Sequence, residues 1–419
     1  MELDWQTIVW KMQSFVWLYP FIMSWFWITG GILYWVLREG KFRRPSDLPE
    51  MNEFPRAAVI VPCFNEKENI ADTIGALSQL AYPDFEVIAV NDGSSDNTAE
   101  LLELLQQQYG FLRVVNLEHN QGKAMAMRAG VAATDAEYVI CIDGDALLEA
   151  HALHWMVYSL TLRPNIGGVT GNPRIRNRKT LLGRLQVGEF SSIIGLIKRT
   201  QSVYGRVFTV SGVVCGFRKR ALHEVGYWGI DMLTDDIDIT WRLQEGGWRV
   251  RYEPNAMCWI LMPETLRGLW TQRLRWAQGG AEVITKRIGE GVRGRSLRML
   301  PIVIEYFISV AWAHVTAIVM LLWVMSLLPF VSLPFDLHGP IPSHWGLILA
   351  GTFFIQSLKS MTLEQRYERG LFRYLGWLIW YPTAYWMIAA ITSVAGLYRT
   401  LIFGRQRHAT WVSPDRGIK

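Results

Sequence analysis

Phe85 to Asp96 reads FEVIAVNDGSSD, and Glu137 to Asp145 reads EYVICIDGD. In each, a continuous apolar run stops abruptly on acidic and glycine residues. Such a run, bounded by turn residues, is the pattern of a strand buried on both faces. Working outward, two more strands are predicted, one from Ala57 to Cys63 within AAVIVPCFNE and one from Leu112 to Leu117. Helical patterns lie between them. Ile70, Ile74, Leu77 and Leu80 recur on one helical face, a second helix is predicted near 98–108, and a third begins at Gly122. This alternation predicts an α/β fold with a doubly wound, mostly parallel sheet. Ligands in such sheets bind beyond the carboxyl ends of the strands. Asn65, Asp92 and Asp143 all fall at such ends.

The flanks are of another kind. Over 419 residues, 50% are hydrophobic and 19% charged, which excludes a disordered chain and an ordinary soluble enzyme. Phe15 to Leu37 is an apolar run long enough to span a bilayer. Lacking a basic lead and a small-residue cleavage site, it reads as an anchor with its N-terminus outside. Residues 305–330 can span, 344–358 form a shorter run, and 371–403 are apolar but broken at Pro382. Lys359 to Arg373 mixes charges with apolar residues and is predicted to lie on the membrane surface. Six tryptophans precede residue 40, where indole rings favour the membrane interface.

The net charge of +5 is compatible with nucleic acid, but the basic residues cluster beside the apolar runs. Arg38, Lys41, Arg43 and Arg44 follow the first run, and Arg293, Arg295 and Arg298 precede the second. That asymmetry puts the middle of the chain in the cytoplasm. Four spans would then leave Arg399 to Lys419 outside, whereas its basic residues favour the inside. Either one run is re-entrant or 371–403 folds as two short halves. The organisation expected is a membrane anchor at 1–44, a linker at 45–55, a cytoplasmic domain at 56–290, and a membrane channel region with a tail at 291–419. Cys63, Cys141, Cys215 and Cys258 lack paired or zinc-type spacing and read as packed, reduced thiols.

Four motifs carry chemistry: Asn91-Asp92-Gly93, Asp143-Gly144-Asp145, Thr234-Asp235-Asp236 and Gln272-Arg273-Leu274-Arg275-Trp276. Together they suit transfer of a sugar from a nucleotide donor. That reaction needs a neutralised leaving diphosphate, a base for the acceptor hydroxyl and an in-line geometry. Asp143 and Asp145 bracket a tight turn and can bind a hard cation, Mg²⁺ or Mn²⁺, alongside phosphate oxygens. Asp92 can accept hydrogen bonds from a ribose or a uracil N–H, with the neighbouring helix cap falling to Ser94, Ser95 or Asp96. Pro62, Phe64 and Glu66 could wall the nucleoside pocket. Lys123 opens a helix and reads equally as a nucleotide contact or a solvated lysine.

Asp235, Asp236 and Asp238 crowd the start of a helix, which favours carboxylates there for structural reasons alone. The same crowding raises a carboxylate pKa, which suits a general base, and spacing does not say which acid it is. Gln272, Arg275 and Trp276 share a helical face. Arginine can hold a diphosphate and an indole can stack on a sugar, although an interfacial anchor fits the same residues.

These motifs, in this order and between membrane runs, resemble the family 2 processive glycosyltransferases, which include cellulose, chitin and hyaluronan synthases. GNPRIR at 171–176, QVGEFSSIIGLIKRT at 186–200, WILMPETL at 259–266 and WVSPDRG at 411–417 are similar to the bacterial poly-β-1,6-N-acetyl-D-glucosamine synthases of that family. The resemblance implies a GT-A-type domain between membrane helices, a UDP-N-acetylglucosamine donor and a biofilm polysaccharide product. It implies uridine binding at Asp92 and metal-diphosphate binding at Asp145, with Asp143 in the donor site. The base falls at Asp236, and acceptor or diphosphate contacts fall at Gln272, Arg275 and Trp276, with Ser211 and Gly212 bordering the acceptor. Asp235 stands where the family motif has glutamate. The family also works with a small two-span membrane subunit and is activated by cyclic di-GMP, which here would require a shared interface. A synthase of another polysaccharide, and a non-catalytic membrane scaffold, are the alternatives.

Overall fold

The computed structural model describes residues 4–40, 45–289, 299–337, 339 and 344–404. Lys41, Arg43, Arg44, Arg293, Arg295, Arg298 and the tail from Arg405 lie outside the described residues. The expectations resting on them, including the side of the tail, therefore have no structural counterpart.

The chain enters as a long helix, α1 (Trp5–Tyr34), capped by Asp4, which accepts the Thr7 N–H at 3.3 Å. The helix starts well before the expected Phe15 because Asp4 supplies a proper N-cap. One π-helical turn, Trp35–Glu39, closes it. The central domain follows with the predicted alternation: β1 (Ala57–Cys63), α2 (Ile70–Leu77), β2 (Phe85–Asp92), α3 (Thr98–Gln108), β3 (Leu112–Leu117), α4 (Lys123–Ala132) and β4 (Tyr138–Ile142). Every residue of β1 and β4 is buried, as their unbroken apolar runs require.

The second half is less regular. It comprises β5 (Leu147–Leu148), α5 (Ala152–Thr161), β6 (Ile166–Ile175), α6 (Leu181–Glu189) and α7 (Gly195–Val203), with a π-helical turn between the last two. Then come β7 (Val214–Arg218), α8 (Lys219–Glu224), α9 (Asp235–Glu245), β8 (Arg249–Ile260) and α10 (Leu266–Gly289). The eight strands form one sheet in the order β3-β2-β1-β4-β7-β6-β8-β5. β3, β2, β1 and β4 run parallel, and β6 runs parallel to β8. β7 is antiparallel to both β4 and β6. This reversal matters: Ile142 pairs with Val214, so the loop entering β7 arrives beside Asp143.

Four helices of the described chain are long and apolar enough to cross a membrane: Trp5–Glu39, Leu300–Ser326 (α11), His344–Glu364 (α12) and Tyr385–Phe403, within α13 (Tyr381–Phe403). Leu321, Leu347 and Phe403 are exposed along them, an apolar surface that lipid would cover. The run at 371–403 does divide in two, into a 3-10 segment, Leu371–Trp380, and α13. Pro382 sits in the first turn of α13, where a missing N–H costs nothing. The expected surface segment from Lys359 to Arg373 is not one element. Its first part finishes α12, because Glu364 is drawn inward by two arginines.

Those arginines belong to a buried ionic staple. Glu364 pairs with Arg174 of β6 and Arg199 of α7, and Arg199 also donates to Glu39 at 2.8 Å. Glu368 pairs with Arg178. The ends of two membrane-length helices are thus tied to the eight-stranded sheet. Aromatic rings join the membrane helices to one another. Tyr381 stacks on Tyr385 at 4.7 Å and on Phe353 at 5.4 Å, and Phe353 meets Trp386 at 5.9 Å. Trp386 meets Trp312 at 6.3 Å, and Trp312 meets Tyr19 at 5.8 Å.

Candidate active site

The carboxyl ends of β1, β2 and β4 converge as expected. Asn65 takes a left-handed conformation at φ 57°, and its N–H donates to Ser94 Oγ at 3.0 Å. Its side-chain oxygen accepts the Ser95 N–H at 2.9 Å, locking the end of β1 to the end of β2. Gly93 makes that turn possible. Its φ is +63°, and an added Cβ would lie 2.6 Å from His119 backbone atoms.

Asp92 is fully buried and not free, as its capping neighbours had suggested. Asp96 accepts the Thr98 N–H at 3.0 Å, but Asp92 has its own backbone duty. It accepts the Gln121 N–H at 2.8 Å and the Gly122 N–H at 2.9 Å, fixing the loop before α4. Burial pushes its carboxyl above the ordinary range, and those two hydrogen bonds oppose the shift. Each oxygen keeps a second lone pair for a ligand.

Fixing that loop aims Lys123. Its ammonium pairs with Asp143 and donates to the Gly212 carbonyl at 3.0 Å. Burial works against this charge, but Asp143 and Asp235 outweigh it and hold the ammonium above its ordinary range. Lys123 is therefore not a solvated lysine. Gly144 separates Asp143 from Asp145 where no side chain fits, because a Cβ would come 2.9 Å from Glu66 Cγ and 3.3 Å from the Pro62 carbonyl. Pro62 and Glu66 thus form the floor beneath the carboxylate turn, with Phe64 half-buried beside them. Asp145 is buried, and both carboxylates act on the buried Cys258 thiol, which burial first and these charges second push far up. All four cysteines are buried thiols, none of them in a disulfide.

Among the described residues no group of three or more His, Cys, Asp or Glu could hold a metal ion. The protein therefore offers Asp143 and Asp145, leaving other positions to phosphate and water. That is the donor set Mg²⁺ favours, so the residues fit a divalent cation carried with a diphosphate.

The acids at the start of α9 have separate fates. Asp238 is fully buried, pairs with Arg242 and Arg287, and accepts the Gly229 N–H at 3.1 Å. It holds the fold together and has no capacity left to serve as a base. Among the described residues, the Asp236 side chain accepts only the Ile237 N–H, at 2.9 Å. It faces Gly212, where a Cβ would lie 3.3 Å from its Oδ2. Burial and the neighbouring Asp235 push the Asp236 carboxyl up to about 6, while Lys123 and Arg275 oppose them.

The Gln272 to Trp276 motif lies on α10, which packs against α13. Gln272 Nε2 faces Met262 Sδ at 3.8 Å, while its buried Oε1 has no hydrogen-bond partner among the described residues. Arg275 is exposed but close enough to influence Asp236. Arg273, to which no role was given, pairs with the buried Glu189 at 2.7 Å. Its guanidinium also covers Trp276 at 4.4 Å and reaches Tyr385 at 5.9 Å. The motif thus connects the site to the aromatic series between the membrane helices. Ser211 is held through its N–H by Thr170 Oγ1 at 2.8 Å.

Residues 55–279 match the model of the "Glycosyltransferase like family 2" group, more than half the chain. The chain belongs to glycosyltransferase family 2. This family 2 glycosyltransferase is 37% identical over 407 residues to the poly-beta-1,6-N-acetyl-D-glucosamine synthase of Staphylococcus epidermidis, covering 96% of this chain and 98% of the relative. It is also 37% identical over 406 residues to that of Staphylococcus aureus strain COL, with the same coverage. Among solved structures, it resembles the mannosyltransferase PcManGT from Pyrobaculum calidifontis, in complex with GDP-Man and Mn²⁺. The TM-score is 0.59 at 18% identity, over 93% of this chain and 98% of the other. The fold is GT-A-like, with membrane-length helices at both ends.

Proposed function

We propose that this glycosyltransferase polymerises N-acetylglucosamine from UDP-N-acetylglucosamine into poly-β-1,6-N-acetyl-D-glucosamine, a biofilm matrix polymer. Asp236 is the general base. It takes the proton of the chain-end 6-hydroxyl, whose oxygen attacks the anomeric carbon as UDP leaves, in one displacement that inverts the configuration. The observation that carries this is the Asp236 carboxyl, pushed up to about 6 against Gly212, whose carbonyl Lys123 joins to Asp143. A base of that pKa is ionised near neutral pH yet basic enough to accept a proton in the transition state. Asp143 and Asp145 would hold Mg²⁺ or Mn²⁺, which supplies charge neutralisation at the leaving diphosphate. Asp92, Pro62, Phe64, Glu66 and Lys123 form the donor side. Ser211, Gly212, Asp235, Gln272, Arg275 and Trp276 form the acceptor and diphosphate side.

The names of the two staphylococcal relatives support the sugar and the linkage. The four membrane-length helices support translocation of the growing chain across the membrane as part of this reading. The reading includes a cytoplasmic catalytic domain at 56–290 on the bacterial inner membrane, a small two-span partner subunit and a cyclic di-GMP site at their shared interface. The test is polymer synthesis by membranes carrying the chain, given UDP-N-acetylglucosamine and Mg²⁺. Wild-type membranes should make polymer and Asp236→Asn membranes none; equal synthesis by both overturns the base assignment.

A further inference from the structure

Lys198 is a second buried lysine beside the site. It lies on α7, only 7% exposed, and its ammonium donates to Thr170 Oγ1 on β6 at 2.9 Å. The Tyr252 ring lies 5.9 Å away. The same Thr170 oxygen accepts the Ser211 N–H at 2.8 Å. Ser211 leads directly into Gly212, which packs on the Asp236 carboxylate and takes the Lys123 hydrogen bond on its carbonyl. A buried ammonium is costly unless charge or hydrogen bonding compensates it. Burial pushes Lys198 down to about 8, and the opposing influences are Asp236 first and Cys215 second.

The next residue explains why this lysine stays in place. Arg199 is fully buried in the ionic staple, paired with Glu364 of α12 and Glu39 at the end of the first membrane span. Helix α7 therefore presents adjacent basic residues to two different tasks: Arg199 to the membrane helices and Lys198 to the Thr170–Ser211 link. The charged groups facing Asp236 are Asp235 on its own helix, Lys123 from α4, Arg275 from α10 and Lys198 from α7. Lys123 is committed to Asp143 and Arg275 is exposed.

We propose that Lys198 is a positioning residue for sugar transfer: through Thr170 it holds the Ser211–Gly212 segment against Asp236, and its charge favours the ionised base. The proposal rests on the reading of Asp236 as the base. It also implies that a conserved charge can substitute: arginine at 198 keeps both the hydrogen bond and the field, whereas methionine removes both at similar volume.

The test is the pH profile of polymer synthesis by the full-length protein in membranes, with Asp236→Asn run alongside. Lys198→Met should lower kcat about tenfold or more with the donor KM within about twofold. Its acid limb should move upward, by a few tenths of a pH unit, because removing a nearby cation raises a carboxylate pKa. Lys198→Arg should restore most of kcat and the acid limb. Thr170→Val should lower kcat and Thr170→Ser should restore it, a pair that carries the test should Lys198→Met not accumulate in membranes. An inactive Asp236→Asn beside a Lys198→Met or Thr170→Val enzyme of wild-type kcat overturns the positioning role alone. So does a loss confined to the donor KM. An active Asp236→Asn overturns the base reading instead.

Discussion

Replacing Asp236 by asparagine should abolish synthesis and make the protein more stable. The folded environment raises this carboxyl from 3.8 to about 6, mainly through burial and secondly through Asp235. One pH unit corresponds to about 1.4 kcal/mol, so the ionised side chain costs the folded state up to about 3 kcal/mol. The penalty is shared with Asp235, and partial exposure screens it, which brings the expected gain to about 1–3 kcal/mol. Its pH dependence follows from the sign of the shift. Below the unfolded value of 3.8 the carboxyl is neutral in both states and no penalty exists. The penalty grows as pH rises toward 6 and is fully present above it. Asparagine retains an oxygen for the Ile237 N–H and carries no charge at any pH. Unfolding of the detergent-purified enzyme should therefore favour Asp236→Asn by a few degrees at pH 7.5, with the two proteins converging near pH 4. A variant that is less stable at pH 7.5, or a difference that ignores pH, would refute the account of this carboxylate.

Asp238→Asn should behave in the opposite sense. It leaves Arg242 and Arg287 without their buried anion, and the loss should be about 3–5 kcal/mol, read as a lowered unfolding midpoint. Gly144→Ala forces a Cβ against Glu66 and the Pro62 carbonyl; it should cost about 1–3 kcal/mol and raise the donor KM, measured by initial rates across donor concentration. Chelation of divalent cations should stop synthesis, with Mg²⁺ or Mn²⁺ restoring it, since Asp143 and Asp145 alone give an incomplete donor set.

The first half of the catalytic sheet was legible because its strands are buried on both faces. Ala57–Cys63 and Tyr138–Ile142 need continuous apolar residues, and their acidic ends stand out against them. The second half hides its pattern. Ile166–Ile175 is buried throughout, yet it reads IGGVTGNPRI, whose glycines and proline signal a loop. Its glycines answer to close neighbours instead: a Cβ on Gly171 would meet the Ala256 carbonyl at 2.6 Å. The proposed base was legible as a cluster of acids but not as an atom. Only the pairing of Asp238 with two arginines separates it from Asp236, and Arg287 is 49 residues distant. Asp92 was placed at the right strand end, while its duty toward Gln121 and Gly122 depends on how the next loop returns. Lys198 falls within the 186–200 stretch that carries the resemblance, but its link to Thr170 was not legible, since the two are 28 positions apart and neither spacing nor composition relates them. Glu364 misled for a related reason. A charge at the end of an apolar run suggests the membrane surface, but its partners sit 190 and 165 residues earlier in the chain.

The reaction proposed for this family 2 enzyme is synthesis of a β-1,6-linked N-acetylglucosamine polymer. Mass spectrometry with linkage analysis of the product, from membranes supplied with isotopically labelled UDP-N-acetylglucosamine or UDP-glucose, tests it most directly. The expected product is a labelled polymer of N-acetylhexosamine units joined through the 6-position, formed from the first donor and not the second. Incorporation of glucose, a different linkage, or transfer of a single sugar without chain growth would contradict it.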